Sequence, residues 1–148
     1  MMSMEDIKRS LEGKAEVSYD EKSMMLKIAT KPENLKNVAK VLKELGFDHV
    51  KSVTAVDDMP QKKIHVLYHT SSYLREGLQR YVVQIECEVP RDDPEVESLA
   101  DVWPSALFHE RETYEMFGVV FRGHGDLRPI LLPDELVGKW PMRKDFRG

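Results

Sequence analysis

Residues 32–46, PENLKNVAKVLKELG, contain the pattern that decides the fold. Pro32 stands at the start of this stretch, and Gly46 follows its last apolar residue. Proline is favoured in the first turn of a helix and glycine just past its end. The stretch therefore predicts an amphipathic helix that lies across a sheet. The apolar face of this helix consists of Leu35, Val38, Ala39, Leu42 and Leu45.

Segments in which apolar residues recur at every second position lie on both sides of this helix. After a short helix predicted at residues 4–11, alternating apolar residues predict a hairpin. They are Ala15, Val17, Tyr19, Met24, Leu26 and Ile28. Three further strands are predicted at 50–56, 64–69 and 78–89, the last with Tyr81, Val83, Ile85, Cys87 and Val89 pointing inward. The short linkers favour antiparallel neighbours, so we expect a single α+β domain with a mixed or antiparallel sheet covered by helices on one face.

The composition restricts the class of protein. A length of 148 residues, 41% hydrophobic and 32% charged, is typical of one globular domain. The N-terminal residues 1–10 are charged and precede no apolar stretch, so we expect neither a signal peptide nor a membrane anchor. The single cysteine, Cys87, can neither close an intrachain disulfide nor hold an iron–sulfur cluster. These features predict a reducing, cytoplasmic setting and membrane association only through partners.

The charges are unevenly distributed along the chain. The net charge of −4 argues against a nucleic-acid partner, because such binding needs clustered Lys and Arg. Residues 86–101 contain seven acids and one base, Arg91, whereas residues 139–148 contain four bases and one acid, Asp145. Both segments could be solvated surface or contact a partner, and the pattern alone leaves the choice open.

A third helix is predicted between Pro104 and Gly118. Its apolar arc comprises Ala106, Leu107, Tyr114 and Phe117, and Glu110 falls in the middle of that arc. A carboxylate there must pair with a base, take a raised pKa, point at another protein, or reach water at the rim. We expect it to be buried and paired with a base, with Arg128 and His124 as candidates, while Arg111 and Glu115 can pair with each other on the flank.

The segment after Gly118 combines helix and strand breakers with apolar residues. Residues 119–148 include four glycines and three prolines, at positions 129, 133 and 141. Its apolar residues are too numerous for a disordered tail. They include Val119, Val120, Phe121, Ile130, Leu131, Leu132, Val137, Trp140, Met142 and Phe146. We therefore predict a core domain at 1–118 and an extended C-terminal arm at 119–148 that docks on a partner subunit.

The helix and the arm carry a series of ordered motifs. They are Trp103-Pro104-Ser105-Ala106, Glu110-Arg111-Glu112, Glu115-Met116-Phe117-Gly118, Gly123-His124, Asp126-Leu127-Arg128, Ile130-Leu131-Leu132-Pro133 and Pro141-Met142-Arg143-Lys144-Asp145. With the strand segments 53–57 and 66–69, these motifs resemble the 30-kilodalton subunit family of respiratory complex I, the NADH:quinone oxidoreductase. The resemblance covers residues 50–148. Gly125, Pro129 and Trp140 depart from the family pattern.

The resemblance implies a cofactor-free accessory or assembly subunit in the cytoplasmic arm of a membrane-bound redox complex. The same family occurs in coenzyme F420H2 dehydrogenases, formate hydrogenlyases and energy-converting hydrogenases. The implied partners are the large catalytic subunit and a neighbouring iron–sulfur subunit, with membrane subunits contacted indirectly and redox centres held by the partners. The implied interface and architectural residues are Glu110, Arg111, Glu112, Glu115, Gly118, His124, Asp126, Arg128, Pro133, Pro141, Arg143 and Lys144.

Two other classes of function compete with this interpretation. An enzyme could use Glu110, Glu112 and Glu115 with a histidine, but the helical wheel separates these carboxylates. His65 and His69 share a strand face, but their separation of about 13 Å is too long for one metal ion. The second alternative is a free-standing adaptor domain that docks a soluble client through its arm.

Overall fold

A computed structural model describes residues 4–75, 77–129 and 131–146. Its helices are α1 (Met4–Ser10), α2 (Leu35–Leu45) and α3 (Ala106–Phe117), with short 3₁₀ turns at Pro32–Asn34 and Asp134–Leu136. Its strands are β1 (Ala15–Asp20), β2 (Met25–Thr30), β3 (His49–Asp58), β4 (Lys63–Ser71), β5 (Val82–Pro90), β6 (Glu95–Glu97) and β7 (Val120–Arg122). Within these ranges no helix is long and apolar enough to cross a membrane.

The main sheet has five strands in the order β1-β2-β5-β4-β3. The β1–β2, β3–β4 and β4–β5 pairs are antiparallel, as the short linkers predict. The β2–β5 pair is parallel, because the chain crosses from β2 through α2 and the β3–β4 hairpin before it returns beside β2. The sheet is therefore mixed, and the predicted α+β class is confirmed.

The core lies between one face of this sheet and the helices. Helix α2 buries Leu35, Val38, Ala39 and Leu42, as its periodicity predicts, and Leu45 is partly buried. Gly46 ends the helix at a φ of 120°, a backbone conformation that residues other than glycine rarely adopt. Cys87 is fully buried, which confirms its predicted place in the core.

Two regions differ from the sequence-based expectation. Strand β5 begins at Val82 and not at residue 78, because Leu78 and Tyr81 form a hydrogen-bonded turn, although the Leu78 side chain is buried. The acidic segment 86–101 contains an unpredicted strand, β6, which pairs in parallel with β7. Three-residue strands show too few alternations to be recognised by their period.

The segment after Gly118 begins inside the domain. Val119 and Phe121 are buried in the core, so the expectation that all apolar residues of this segment need an outside surface is wrong for these two. Leu131, Val137 and Met142 remain exposed. The described residues beyond β7 follow the surface of their own domain, through contacts described below. A domain boundary after Gly118 and docking on a partner stay predictions, and Ile130 and Arg147 lie outside the described residues.

Candidate functional site

Glu110 is the centre of a buried polar cluster between α3, β4 and the loop after β6. Its side chain is 0% exposed, which confirms the predicted burial. The Tyr68 hydroxyl donates to Oε2 at 2.5 Å, and the Ser98 hydroxyl donates to Oε1 at 2.5 Å. The backbone N–H of Leu99 donates to Oε2 at 2.9 Å. Hydroxyl and amide groups supply these bonds, whereas Arg128 contacts Asp126 and the ring nitrogens of His124 contact Leu107 and Asp126. The predicted hydrogen-bonded pair with a base is therefore wrong for the described residues, and His124 acts on Glu110 only through its charge.

The electrostatics of this cluster follow from its burial. Burial raises the pKa of the Glu110 carboxyl, although the hydrogen bonds from Ser98, Tyr68 and Leu99 act in the opposite direction. Burial and the neighbouring Glu110 charge raise the pKa of Tyr68 well above its ordinary value. Tyr68 therefore remains a hydrogen-bond donor at neutral pH. Glu110 thus joins α3 to β4 and to the loop after β6 through donors that would be unsatisfied without it.

Glu115 is the second buried carboxylate of α3, with 1% of its surface exposed. Its oxygens accept hydrogen bonds from the backbone N–H groups of Leu131 and Leu132, the shortest at 2.7 Å. The helical wheel placed Glu115 on the flank, so its burial was missed, although the resemblance singled it out. This carboxylate attaches the C-terminal segment to the helix.

Arg111, Asp126 and Arg128 form a chain of charges beside the helix. Arg111 Nη1 lies 3.1 Å from Asp126 Oδ2, and Arg128 Nε lies 2.9 Å from Asp126 Oδ1. Arg111 is mostly buried, whereas Arg128 is exposed. Glu115 is the partner that the helical spacing predicts for Arg111, but among the described residues Arg111 pairs with Asp126. Glu112 is half-buried.

His124 is a buried structural residue that orders the turn after β7. Its Nε2 lies 2.7 Å from the Leu107 carbonyl, and its Nδ1 lies 3.1 Å from the backbone N–H of Asp126. This pattern assigns the proton to Nε2, which donates to the carbonyl, and leaves Nδ1 as the acceptor. Both ring nitrogens are thereby engaged within the domain.

The C-terminal residues also pack against the end of α3. Gly118 ends the helix at a φ of 79°, and a Cβ there would lie 2.8 Å from the Trp140 ring. Arg143 Nε donates to the Phe117 carbonyl at 2.6 Å, and the N–H of Met142 donates to the Met116 carbonyl at 3.0 Å. Gly118 is therefore required both for its conformation and for the close approach of Trp140.

A third buried carboxylate, Asp57, holds the C-terminal residues to strand β3. Arg91 Nε lies 2.6 Å from Asp57 Oδ1, and the N–H of Lys144 donates to Oδ2 at 2.8 Å. Arg91 also pairs with Asp145 at 2.8 Å. Sequence reasoning missed Asp57 as a site residue. Its signal was its phase, because Val53, Ala55 and Asp57 alternate on the inward side of the strand.

Apolar side chains remain exposed on α3 and on the segment attached to it. Phe108 is 48% exposed, Leu131 54% and Met142 58%. The prediction that Leu107 lies on the buried face is wrong, since this residue is exposed, and Thr113 is buried instead. Pro133 precedes the 3₁₀ turn at Asp134–Leu136 and is exposed, while Pro141 is half-buried beside Trp140.

The arrangement is architectural in its chemistry. Glu110 and Glu115 point to different partners, so these two carboxylates do not converge on one point. Burial raises the pKa of the Cys87 thiol to about 12, so this cysteine remains protonated and is not a nucleophile. The described groups bind segments of the chain to one another.

Comparisons with known proteins agree with the earlier resemblance. The sequence profile of the family described as the respiratory-chain NADH dehydrogenase 30 Kd subunit matches residues 28–148. The chain is 40% identical to a subunit of the F(420)H(2) dehydrogenase of Methanosarcina mazei over 117 residues, covering 78% of this chain and 72% of that one. It is 34% identical to a subunit of the chloroplastic NAD(P)H-quinone oxidoreductase of Angiopteris evecta over 116 residues, covering 78% and 73%.

A solved structure also shares the fold. A chain in the structure of the membrane-bound sulfane sulfur reductase, an archaeal respiratory membrane complex, matches with a TM-score of 0.84 and 26% sequence identity. The match covers 97% of this chain and 84% of that one. The chain therefore belongs to the 30-kDa subunit family of the respiratory-chain NADH dehydrogenases, and is a subunit of a complex I-like dehydrogenase or a related complex.

Proposed function

We propose that this chain is an assembly subunit without redox centres in the cytoplasmic arm of a membrane-bound dehydrogenase or hydrogenase complex. It lies peripherally on the cytoplasmic side of the membrane and holds the large catalytic subunit beside an iron–sulfur subunit. It supports electron transfer to a quinone-like acceptor or to protons by fixing the positions of these neighbours. The flavin, iron–sulfur or nickel–iron centres belong to the partner subunits.

The observation that carries this proposal is the contrast between fixed backbone and exposed apolar side chains along α3. The backbone at residues 131–132 is held by Glu115, and the backbone at 142–144 is held by Met116 and Asp57. The apolar side chains of Leu131 and Met142 nevertheless point to solvent, as does Phe108 on the helix. Exposed apolar groups that together form a patch on an ordered surface mark sites of protein contact.

The charges near this surface suit a partner that presents carboxylates. Lys139 and Lys144 are exposed on either side of Met142. Arg143, in contrast, is committed to the Phe117 carbonyl and so acts within the domain. Exposed lysines around apolar contacts favour the rate and the orientation of docking more than its strength.

The hydrogen bonds of the motif residues support the proposal that this subunit has no redox centre. His124, Glu110 and Glu115 are each occupied by hydrogen bonds inside the domain. The Cys87 thiol is buried and protonated, so it is unsuited to ligating iron.

The test is to recover the tagged full chain from detergent-solubilised membranes and to identify the proteins that accompany it. We expect the large catalytic subunit and an iron–sulfur subunit, and the electron-input subunit in the same sample will identify the donor. Phe108→Ser and Met142→Ser should reduce recovery of the large subunit. Met24→Ser is the matched control, because Met24 is 66% exposed but lies in the β1–β2 turn.

Two outcomes would contradict the proposal. Recovery of the chain as a free monomer, or with a soluble client alone, would favour the adaptor function. Equal recovery of the large subunit with all three variants would show that the surface along α3 is not the contact.

A further inference from the structure

The uncovered face of the main sheet carries a cluster of metal-ligating side chains that the function above does not use. His65 on β4 lies opposite Glu88 on β5. Glu86 precedes Glu88 by two residues and therefore lies on the same face of the sheet. His65 Nδ1 is 2.6 Å from Glu86 Oε1 and 3.7 Å from Glu88 Oε1. One ligand atom from each residue lies within 4.8 Å of the other two. His65 is distant from both glutamates in the sequence, and the pairing of β4 with β5 brings the three side chains together.

A fourth residue orients the imidazole of His65. Asp58, at the end of β3, places its Oδ2 3.3 Å from His65 Nε2. A carboxylate at this position accepts a hydrogen bond from Nε2–H, so the lone pair of Nδ1 faces the glutamates once an ion displaces the proton between Nδ1 and Glu86. Histidines that bind metal ions commonly donate their second ring N–H to a carboxylate in this way.

We propose that His65, Glu86 and Glu88 bind one zinc-class divalent cation, with Asp58 as the positioning residue and water completing the coordination. One imidazole nitrogen and two carboxylate oxygens form a donor set that favours zinc and similar ions over magnesium or calcium. The ion is redox-inert and takes the place of the proton between His65 and Glu86. The proposal rests on the isolated chain and is independent of the proposed subunit role.

The geometry requires only side-chain adjustment. Ligand atoms around a tetrahedral zinc ion are about 3.4 Å apart, given metal–ligand distances near 2.1 Å. The two observed separations from His65 to the glutamates, 2.6 Å and 3.7 Å, lie on either side of that value, and the third, between the two glutamates, is at most 4.8 Å. All three ligands are attached to adjacent strands, so the backbone already holds them in place. The cluster also borders a groove of about 670 Å³ that Glu86 and Glu88 line together with Ala29 and Thr30, and a hydrated ion can enter there.

Lys63 is the group that competes with the ion. Its Nζ lies 2.8 Å from Glu88 Oε2. This contact leaves Oε1 on the side of His65, so the carboxylate can contact both groups. Replacing Lys63 by glutamine should remove the competing charge and strengthen binding.

The experiment uses the full chain without a histidine tag, stripped with a chelator and titrated with Zn²⁺ in a calorimeter. Co²⁺ absorbance reports the coordination independently. We expect one ion per chain, and a loss of affinity of at least about 10-fold for His65→Gln and Glu86→Gln, with about 10–100-fold for Asp58→Asn. His69→Gln is the matched control, because His69 lies on the same face but contacts Ser52 and Gln84.

Circular dichroism establishes that each variant is folded, and a Zn²⁺-dependent rise in Tm provides a second measurement. If His65→Gln does not fold, Glu86→Gln alone decides the question. Absence of binding by the wild-type chain overturns the proposal. Equal affinity of the wild type, His65→Gln and Glu86→Gln also overturns it, since the ion would then lie elsewhere.

Discussion

Helices α2 and α3 both contribute to the core against the sheet, but they bury different chemical groups. The buried residues of α2 are all apolar: Leu35, Val38, Ala39 and Leu42. Helix α3 buries Glu110, Thr113 and Glu115 together with Ala106 and Phe117. It also leaves Leu107 and Phe108 exposed, although both are apolar.

The difference shows that a helix can be held to its domain either by an apolar stripe or by specific hydrogen bonds. An apolar stripe, as in α2, fixes a helix against a sheet and needs no specific partner. The carboxylates of α3 instead bind particular donors on other segments, the Ser98–Leu99 loop and residues 131–132. The surface of α3 that remains free is therefore available for a partner subunit. Four measurements can contradict or sharpen this comparison.

The largest effect is expected for Glu110→Ala. The substitution leaves the Tyr68 and Ser98 hydroxyls and the Leu99 amide without their acceptor, so the free energy of unfolding should fall by about 3–5 kcal/mol. Glu112→Ala is the matched control on the same helix, with an expected change within about 0.5 kcal/mol. Urea denaturation of both variants measures the difference. Equal, small losses would show that the buried cluster contributes little.

Leu42→Ala should destabilise the chain by about 3 kcal/mol, through lost burial and the cavity that remains. Because the Leu42 side chain is apolar and its only role is to fill the core, Leu42→Met should restore most of the stability. Thermal unfolding of the pair measures this tolerance. If Leu42→Met is as unstable as Leu42→Ala, then α2 is as specific in its packing as α3.

Glu115→Ala should cost about 1–3 kcal/mol, because the amides of Leu131 and Leu132 lose their acceptor. The loss should be local. Hydrogen exchange should accelerate at residues 131 and 132 while the amides of β4 and β5 retain their protection. Uniform acceleration throughout the sheet would mean that Glu115 stabilises the core itself and not the attached segment.

The smallest effects concern pH, and the buried carboxylates Asp57 and Glu110 should act with opposite signs. Hydrogen bonding to Arg91 lowers the pKa of Asp57, so its contribution to stability is present above the unfolded pKa of about 3.9 and is lost as pH falls through the lower folded value. Burial raises the pKa of Glu110, so its contribution is present below the unfolded pKa of about 4.3 and is lost as pH rises through the higher folded value.

Unfolding curves of the wild type, Asp57→Asn and Glu110→Gln as a function of pH separate these contributions. Asp57→Asn should remove part of the loss of stability below about pH 4. Glu110→Gln should remove part of the loss above about pH 4.3. A Glu110→Gln profile that coincides with the wild type would indicate that Glu110 has the same pKa in both states.

Much of the fold could be predicted because apolar residues recur with a clear helical or strand period in most of its elements. The hairpin of β1 and β2, the helix α2 and the strands β3 and β4 were identified at nearly their observed bounds. The burial of Glu110 followed from its place on the helical wheel, but its partners did not, since Tyr68 is 42 residues away and Ser98 lies in a loop without a period. The base expected beside Glu110 was therefore wrong, although the need for a partner was correctly inferred.

The sequence by itself determined the α+β class, the helix boundaries at Gly46 and Gly118, and, through its motifs, the family. These features depend on local geometry, because φ preferences and side-chain periods act over a few residues. Only the tertiary structure decided that β2 and β5 pair in parallel, that Asp57 holds the C-terminal residues, and that His65 faces Glu86 and Glu88. Such contacts depend on strand register and on how the chain crosses between strands. Both bring together residues that are distant in the sequence, so a pattern within a few neighbouring residues cannot predict them.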